Sequence, residues 1–177
     1  MTDPDFWNKV AHKYAKDAIS DMESYTVTLE RMRDLLEPHH RVLEIGCGTG
    51  STALELAGGV DRYVGTDVSS EMVRIANEKL TGKMPHLSFA VHAADDLPSG
   101  PHDVILALNL LHLVSNLEDV LKQIFDALPP KGMFIAKTGL LKDGAWFLPL
   151  IIPVMRAVGK APFVRSLSEA KLIDLLR

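Results

Sequence analysis

Three glycines that closely follow a short apolar run constrain the fold of this chain most. The run Arg41–Ile45 is typical of a buried strand, and Gly46, Gly48 and Gly50 come directly after it. Glycine allows the backbone to turn sharply and to approach a ligand closely, where a Cβ would collide. Asp67 lies 21 residues after Gly46. That spacing suits a carboxylate that accepts hydrogen bonds from ribose hydroxyls.

Short apolar runs alternate with amphipathic stretches along the rest of the chain. Strands are predicted over 41–45, 62–66, 87–91, 103–108 and 133–137. Alternating strands and helices pair in parallel through right-handed crossovers. The sequence therefore predicts a doubly wound, mostly parallel α/β sheet, with its ligand outside the carboxyl ends of the strands.

One domain is predicted for the 177 residues, in three successive parts. Residues 1–40 form a helical arm, residues 41–138 a cofactor-binding core, and residues 139–177 an apolar segment with a C-terminal helix. The length suits a single domain with one hydrophobic core.

Two helices of the core carry start signals. Ser69 predicts the N-cap of a helix that has Met72 on its apolar face. Ser115 and Glu118 predict a capping box, and the apolar stripe of the helix behind it includes Phe125. Both helices are expected to pack on the sheet.

Composition and charge exclude several other classes. A single cysteine, Cys47, provides no disulfide framework, and the seven histidines lack metal-ligand spacing, so no metal is expected. The net charge of −4 argues against nucleic-acid binding, which needs a dense basic face. The chain does not open with a basic and apolar leader, so a cytoplasmic location is expected.

The glycine pattern resembles motif I of the class I S-adenosylmethionine-dependent methyltransferases. A dinucleotide fingerprint would have glycine or alanine at Ser51. Phe6, Trp7 and Tyr14 are similar to the N-terminal arm of the family's small-molecule branch, which includes ubiquinone and menaquinone methylases. The resemblance covers roughly residues 6–138 and extends to further motifs at 64–69, 93–98, 103–114 and 128–132.

The resemblance implies a binding site for S-adenosylmethionine. Glu44 would organise the glycine turn and the methionyl amino group, Asp67 would hold the ribose hydroxyls, and Asp95 would contact the adenine edge. The cofactor-binding residues that the resemblance implies are Glu44, Gly46, Cys47, Gly48, Asp67, Val68, Met72, Ala94, Asp95, Asn109 and Leu110.

The loop on the adenine side departs from the family pattern. The family often has an acid about five residues before the proline of this loop, and this chain has Ala93 before Pro98. Either Asp95 takes over the contact with the adenine amino group, or the backbone alone makes it.

Methyl transfer to a small, hydrophobic molecule by in-line displacement is the implied reaction. The protein has to align the reactants and exclude water, and a base is needed only where the acceptor loses a proton. His112, just beyond the fourth strand, and Tyr14 on the arm are candidate catalytic residues. DNA amino groups are discounted because Leu110 follows Asn109 in place of a Pro-Pro-aromatic platform.

The apolar segment 145–155 is too short, at 11 residues, to span a bilayer. It predicts a lid over a quinone-like or lipid-like acceptor, while core packing and a homodimer contact remain alternatives. The family's sheet has seven strands, and no strand pattern follows Lys137. We therefore expect a truncated chain or a natural short form without the last two strands.

Two other functions remain open from the sequence. One is a nicotinamide-dependent oxidoreductase on a similar sheet. The other is a non-catalytic relative of the fold that binds S-adenosylmethionine or a partner protein.

Overall fold

Five parallel strands form one sheet in the computed structural model, which describes residues 3–82, 84–140, 155–156 and 159–176. The spatial order is β3-β2-β1-β4-β5, with β1 paired to both β2 and β4. This confirms the predicted doubly wound sheet and puts the reversal of strand order at β1 and β4. The strands are β1 (Arg41–Ile45), β2 (Arg62–Asp67), β3 (Leu87–Val91), β4 (Val104–Leu108) and β5 (Met133–Lys137).

Helices cover the sheet on both sides. In the described residues they are α1 (Pro4–Lys16), α2 (Met22–Leu35), α3 (Ser51–Leu56), α4 (Ser70–Glu78), α5 (Leu117–Ala127) and α6 (Glu169–Leu175), with short 3₁₀ turns at Ala57–Gly59 and Leu111–Leu113. None of these helices has the length and apolar character that crossing a membrane requires.

The core has one apolar layer on each face of the sheet. Val42 packs in the layer that includes Leu29 of α2 and Leu56 of α3. Leu43, the next residue of β1, packs in the layer that includes Ile124 of α5. Successive side chains of a strand point to opposite faces, so Val42 and Leu43 place β1 between the two layers. This position fixes the end of β1, where the glycine turn begins.

Asn8 joins the arm to the first turn of α4. Its Oδ1 accepts hydrogen bonds from the Ser69 hydroxyl at 2.7 Å and from the Glu71 backbone N–H at 3.2 Å. Ser69 is the predicted N-cap, and its Oγ accepts from the Met72 N–H at 3.1 Å. Trp7 packs against Met72 in a small apolar cluster between α1 and α4. The arm is therefore fastened beside the carboxyl end of β2.

The start of α5 differs from the predicted capping box. Asn116, one residue beyond Ser115, occupies the N-cap position. Its side-chain amide donates to Asp95 Oδ2 at 2.8 Å. Glu118 lies 3.5 Å from the Arg165 guanidinium. Asn116 and Glu118 therefore contact residues of other segments, Asp95 and Arg165. Such tertiary contacts cannot be predicted from the local spacing of Ser115 and Glu118.

The apolar stripe of α5 is narrower than its sequence predicts. Leu117, Val120 and Ile124 are buried against the sheet, whereas Phe125 is 79% exposed. A helix advances 100° per residue, so the residue after Ile124 is carried off the buried face.

Residues that follow β5 return to the core beside α5. Leu167 is buried in the same apolar layer as Ile124, and the Arg165 N–H donates to the His112 carbonyl at 2.6 Å. Of the predicted lid, only Met155 belongs to the described residues. Within the described part of the chain, no strand follows Lys137.

Candidate functional site

A cavity of about 490 Å³ opens at the carboxyl ends of the strands, between the sheet and the arm. This volume lies within the usual range for small-molecule sites. The structure brings most of the predicted site residues to this cavity. Those that line it are Tyr14, Glu44, Gly46, Cys47, Gly48, Asp67, Val68, Met72, Ala94, Asn109 and Leu110.

The glycine turn takes backbone angles that favour glycine. Gly46, Gly48 and Gly50 have φ values of 70°, 55° and 74°, all in the left-handed region. A Cβ on Gly50 would lie 2.6 Å from the Phe89 ring, and one on Gly46 would lie 2.8 Å from Leu110 Cδ1. A Cβ at either position would collide with these side chains unless they moved, so the turn favours glycine for steric as well as conformational reasons.

The Asp67 carboxylate lies between the glycine turn and the start of α4. Oδ2 accepts the Gly48 N–H at 3.0 Å, and Oδ1 accepts the Ser69 N–H at 2.9 Å. Burial raises the pKa of Asp67, and these backbone donors oppose that increase because they stabilise the carboxylate. One acidic side chain thus has a fixed orientation at the cavity wall.

Lys79 holds the far side of the turn, a role that the sequence did not indicate. Its Nζ donates to the Thr49 carbonyl at 2.7 Å and to the Thr49 hydroxyl at 3.0 Å, and it lies 3.3 Å from Ser51 Oγ. Partial burial lowers the pKa of this lysine. The end of α4 therefore supports the turn opposite Asp67.

Glu44 is an almost completely buried acid in the floor of the cavity, with only 2% of its surface exposed. Tyr63 donates its hydroxyl proton to Glu44 Oε2 at 2.9 Å. Burial raises the pKa of Glu44 to about 7, and the charge of Asp67 acts in the same direction, while the Tyr63 hydrogen bond lowers it. Near neutral pH a cation beside Glu44 would favour its charged form.

Aromatic side chains of the arm form the opposite wall. Tyr14 lies 3.8 Å from the position of a Cβ on Gly48 and packs edge to face with Trp7 at 6.4 Å. The Tyr25 hydroxyl lies 3.5 Å from Thr52 Oγ1. Burial raises the pKa of Tyr14, and the charges of Asp67 and Glu44 raise it further, so its phenol stays protonated at neutral pH.

Two predicted residues lie outside the described lining of the cavity. The Asp95 carboxylate accepts the hydrogen bond from the Asn116 side-chain amide that was described for the start of α5. His112 Nδ1 lies 2.9 Å from Thr138 Oγ1, and burial lowers the pKa of this histidine.

Burial raises the pKa of the Cys47 thiol, which packs in the cavity wall as an uncharged group.

Several lining residues were not among the predicted site residues. Tyr25, Thr52 and His92 belong to three separate segments of the chain that meet at the cavity. Their spacing along the chain follows no motif. In the arm, the aromatic residues Trp7 and Tyr14 were the sequence feature that indicated a role at the site.

The residues present fit a nucleoside with a cationic amino-acid tail. The turn leaves room for a ligand beside Gly48, Asp67 offers a fixed carboxylate for sugar hydroxyls, and Glu44 offers a buried acid for an ammonium group. Apolar surface from Met72 and Val68 lies on the same side as Asp67. These features fit the nucleoside-binding site of an α/β domain.

The sequence pattern of the methyltransferase domain family matches residues 42–132, and the chain belongs to this family. The non-reducing polyketide synthase SAT8 of Stachybotrys chartarum is 32% identical over 139 residues, which are 73% of this chain and 5% of that protein. The chain thus spans about one twentieth of the length of the polyketide synthase that it matches. The predicted class I S-adenosylmethionine-dependent methyltransferase, with its cofactor, is confirmed.

Solved structures agree with this assignment. DhpI in complex with SAH is 25% identical, with a TM-score of 0.64 over 80% of this chain and 74% of that one. Phosphoethanolamine N-methyltransferase 2 of Haemonchus contortus, in complex with S-adenosyl-L-methionine, is 17% identical, with a TM-score of 0.71 over 87% of this chain and 36% of that one. The second likeness concerns the fold alone.

The raised pKa of Glu44 predicts a pH-dependent stability. The pKa of this carboxyl is 4.5 in its ordinary state and about 7 in the folded protein. Between these two pH values, Glu44 of the folded protein keeps a proton that the unfolded chain has lost. The free energy of unfolding of the ligand-free protein therefore falls as the pH rises through this window, by roughly 3 kcal/mol from this group. We expect Glu44→Gln to remove this decrease in urea unfolding measured from pH 5 to pH 8.

Glu30→Gln, at an exposed position of α2, is the matched control and should leave a profile parallel to that of the wild type. If the pH profile of the unfolding free energy of Glu44→Gln also runs parallel to that of the wild type, Glu44 is not the acid that causes the decrease.

Proposed function

We propose that this domain transfers a methyl group from S-adenosylmethionine to a small, apolar, carbonyl-bearing acceptor. The observation that carries the proposal is that the cavity has two unlike walls. Glu44 and Asp67 give the wall formed by the sheet acidic groups, while Tyr14, Tyr25 and Ile19 give the arm side aromatic and apolar surface. The first wall suits a cationic nucleoside and the second a hydrophobic molecule.

The cofactor residues keep their predicted roles in this proposal. Asp67 holds the ribose hydroxyls, because its orientation is already fixed by two backbone N–H groups. Glu44 binds the methionyl ammonium group. Met72 and Val68 pack on the adenine. S-adenosylmethionine, when bound, supplies a methyl group that its sulfonium has already activated.

The other residues align the acceptor and exclude water. Tyr14 covers the glycine turn, and Trp7 supports its ring from α1. Holding two reactants at attack distance lowers the barrier because their freedom of motion is lost on binding and not during the reaction. The arm therefore contributes to rate by position, without a nucleophile.

The identity to a segment of a polyketide synthase supports an acceptor of the polyketide or quinone kind. Such molecules are apolar and carry carbonyl groups beside acidic C–H or O–H bonds. Their methylation requires a proton to leave, so a base is needed. Tyr14 does not suit this role, because its raised pKa keeps the phenol protonated.

His112 is the base in this proposal. Its lowered pKa keeps the imidazole neutral at physiological pH, so that it has a lone pair to accept a proton. It follows β4 by four residues, next to Leu111 and Leu113 of the 3₁₀ turn. Leu113 lines the cavity, so an acceptor that extends past this side chain approaches His112.

The base assignment predicts different effects of two substitutions. His112→Gln should lower kcat about 100-fold for an acceptor that must lose a proton, while the Kd for S-adenosylhomocysteine stays within about twofold of the wild type. Tyr14→Phe should change kcat by less than about threefold, because the ring remains and only the hydroxyl is lost. Steady-state kinetics and calorimetry measure both.

Equal effects of the two substitutions, or an unchanged kcat in His112→Gln, would move the base to another residue. The wild-type kcat should also fall only at a pH below the usual range of histidine, because burial favours the neutral ring.

The proposed function is tested by ligand discrimination followed by product detection. Calorimetry should show binding of S-adenosylmethionine and S-adenosylhomocysteine and none of NAD. Incubation with a panel of quinones, polyketides and fatty acids should then yield products heavier by one methyl group in mass spectrometry. Binding of NAD in place of the sulfonium cofactor would contradict the proposal, and cofactor binding without transfer to any member of the panel would indicate a non-catalytic relative.

A further inference from the structure

We propose that Glu37, His39 and His40 form a binding site for a divalent transition-metal ion of the Zn²⁺ type. The three residues lie between α2 and β1, at the end of the sheet opposite the cofactor cavity. Among the residues that the structure describes, this group brings three potential ligand atoms to within 4.8 Å of one another. The inference goes beyond the proposed function, because it concerns the amino end of β1.

A tight turn over residues 37–40 brings the three side chains together. The His40 N–H donates to the Glu37 carbonyl at 2.9 Å. Pro38 occupies the second position of this turn, where its fixed φ is favoured. The end of the turn is held by the sheet, because the His40 carbonyl accepts the Asp61 N–H at 3.1 Å. The turn therefore gathers donors that the spacing of the histidines along the chain does not indicate.

The distance between Glu37 and His39 fits two ligands of one ion. His39 Nδ1 lies 3.5 Å from Glu37 Oε2, which is long for a hydrogen bond. Two ligand atoms at Zn²⁺ distances, with a tetrahedral angle between them, are about 3.3 Å apart. The two side chains are therefore spaced as neighbours in a coordination shell.

The two imidazole rings have a similar fit. The ring centroids of His39 and His40 are 4.6 Å apart. Two imidazoles bound to one Zn²⁺ ion at angles of about 90–110° have centroids roughly 4.5–5.2 Å apart, because each ring centre lies about 3.2 Å from the metal. Glu37 and His39 are exposed, so rotation of their side chains can shorten the remaining distances to His40.

The hydrogen bond to His40 keeps its ring in the form that binds metals. The Glu37 N–H donates to His40 Nδ1 at 3.0 Å, so Nδ1 has a lone pair and no proton. A histidine binds a metal ion as the neutral imidazole, and this hydrogen bond favours the neutral form. An ion at Nδ1 would replace the Glu37 N–H, which belongs to an exposed residue and can bind water instead.

The donor set selects the class of ion. Two imidazoles and one carboxylate are a ligand set that Zn²⁺ accepts, with the remaining position filled by water. Imidazole nitrogen suits Zn²⁺, Cu²⁺ and Ni²⁺, whereas Mg²⁺ and Ca²⁺ prefer oxygen ligands. The side chains of His39 and Glu37 are 72% and 64% exposed. Fixing exposed side chains costs conformational entropy, so we expect micromolar rather than nanomolar affinity.

The experiment titrates the chain, prepared without a histidine tag, with ZnCl₂ in a calorimeter. The wild type should bind one equivalent. His39→Gln and Glu37→Gln each remove one ligand, and each should weaken the Kd for Zn²⁺ about 10-fold or more. His12→Gln is the matched control and should leave the Kd unchanged, because His12 is an exposed histidine that lies 3.6 Å from the Glu71 carboxylate on the arm side of α4.

The melting temperature gives a second measurement. An ion that binds the folded chain stabilises it, so an excess of ZnCl₂ should raise the Tm of the wild type and of His12→Gln more than that of His39→Gln. The proposal fails if the wild type shows no saturable binding of Zn²⁺, if both ligand variants keep the wild-type Kd, or if His12→Gln loses as much affinity as they do. Melting without ZnCl₂ identifies a variant that does not fold, and the other ligand variant then decides. None of these results changes the test of methyl transfer, which measures nucleoside binding and methylated products.

Discussion

The carboxylate of Asp67 connects three parts of the molecule that would otherwise be independent. It accepts one backbone N–H from the glycine turn and one from the start of α4, where Ser69 also binds Asn8 of the arm. Strand β2 brings Asp67 to this point because it pairs with β1 in parallel register, with Ile45 opposite Thr66. The shape of the turn, the placement of α4 and the docking of the arm therefore depend on one short set of hydrogen bonds.

This arrangement concentrates acidic groups in a buried place, which is unfavourable without a ligand. Burial raises the pKa of both Asp67 and Glu44, and the charge of Asp67 raises the pKa of Glu44 further. Lys79 supports the turn but donates to Thr49 rather than to either acid. A cationic ligand would relieve the repulsion, so in the proposed function the same feature that weakens the ligand-free fold at higher pH would provide affinity for a sulfonium nucleoside.

The sheet and the polar end of the site could be predicted because each depends on local signals. The glycines after β1 and the acid after β2 have fixed spacing, and their meeting follows from parallel pairing. Tyr14 of the arm was a predicted site residue, whereas Tyr25 and Lys79 could not be predicted, because their roles depend on how α2 and α4 dock. At the start of α5, a tertiary hydrogen bond from Asn116 to Asp95 prevailed over the local capping signal.

The central claim is that Asp67 binds the ribose of the cofactor, and calorimetry of Asp67→Asn with S-adenosylhomocysteine tests it most directly. Asparagine keeps the size of the side chain and one oxygen, but it lacks the charge that makes hydrogen bonds to hydroxyls strong. Asp61→Asn, at an exposed position just before β2, is the control. The account predicts an affinity loss of about 30-fold or more for Asp67→Asn and none for Asp61→Asn. Equal affinity in a folded Asp67→Asn protein would contradict it.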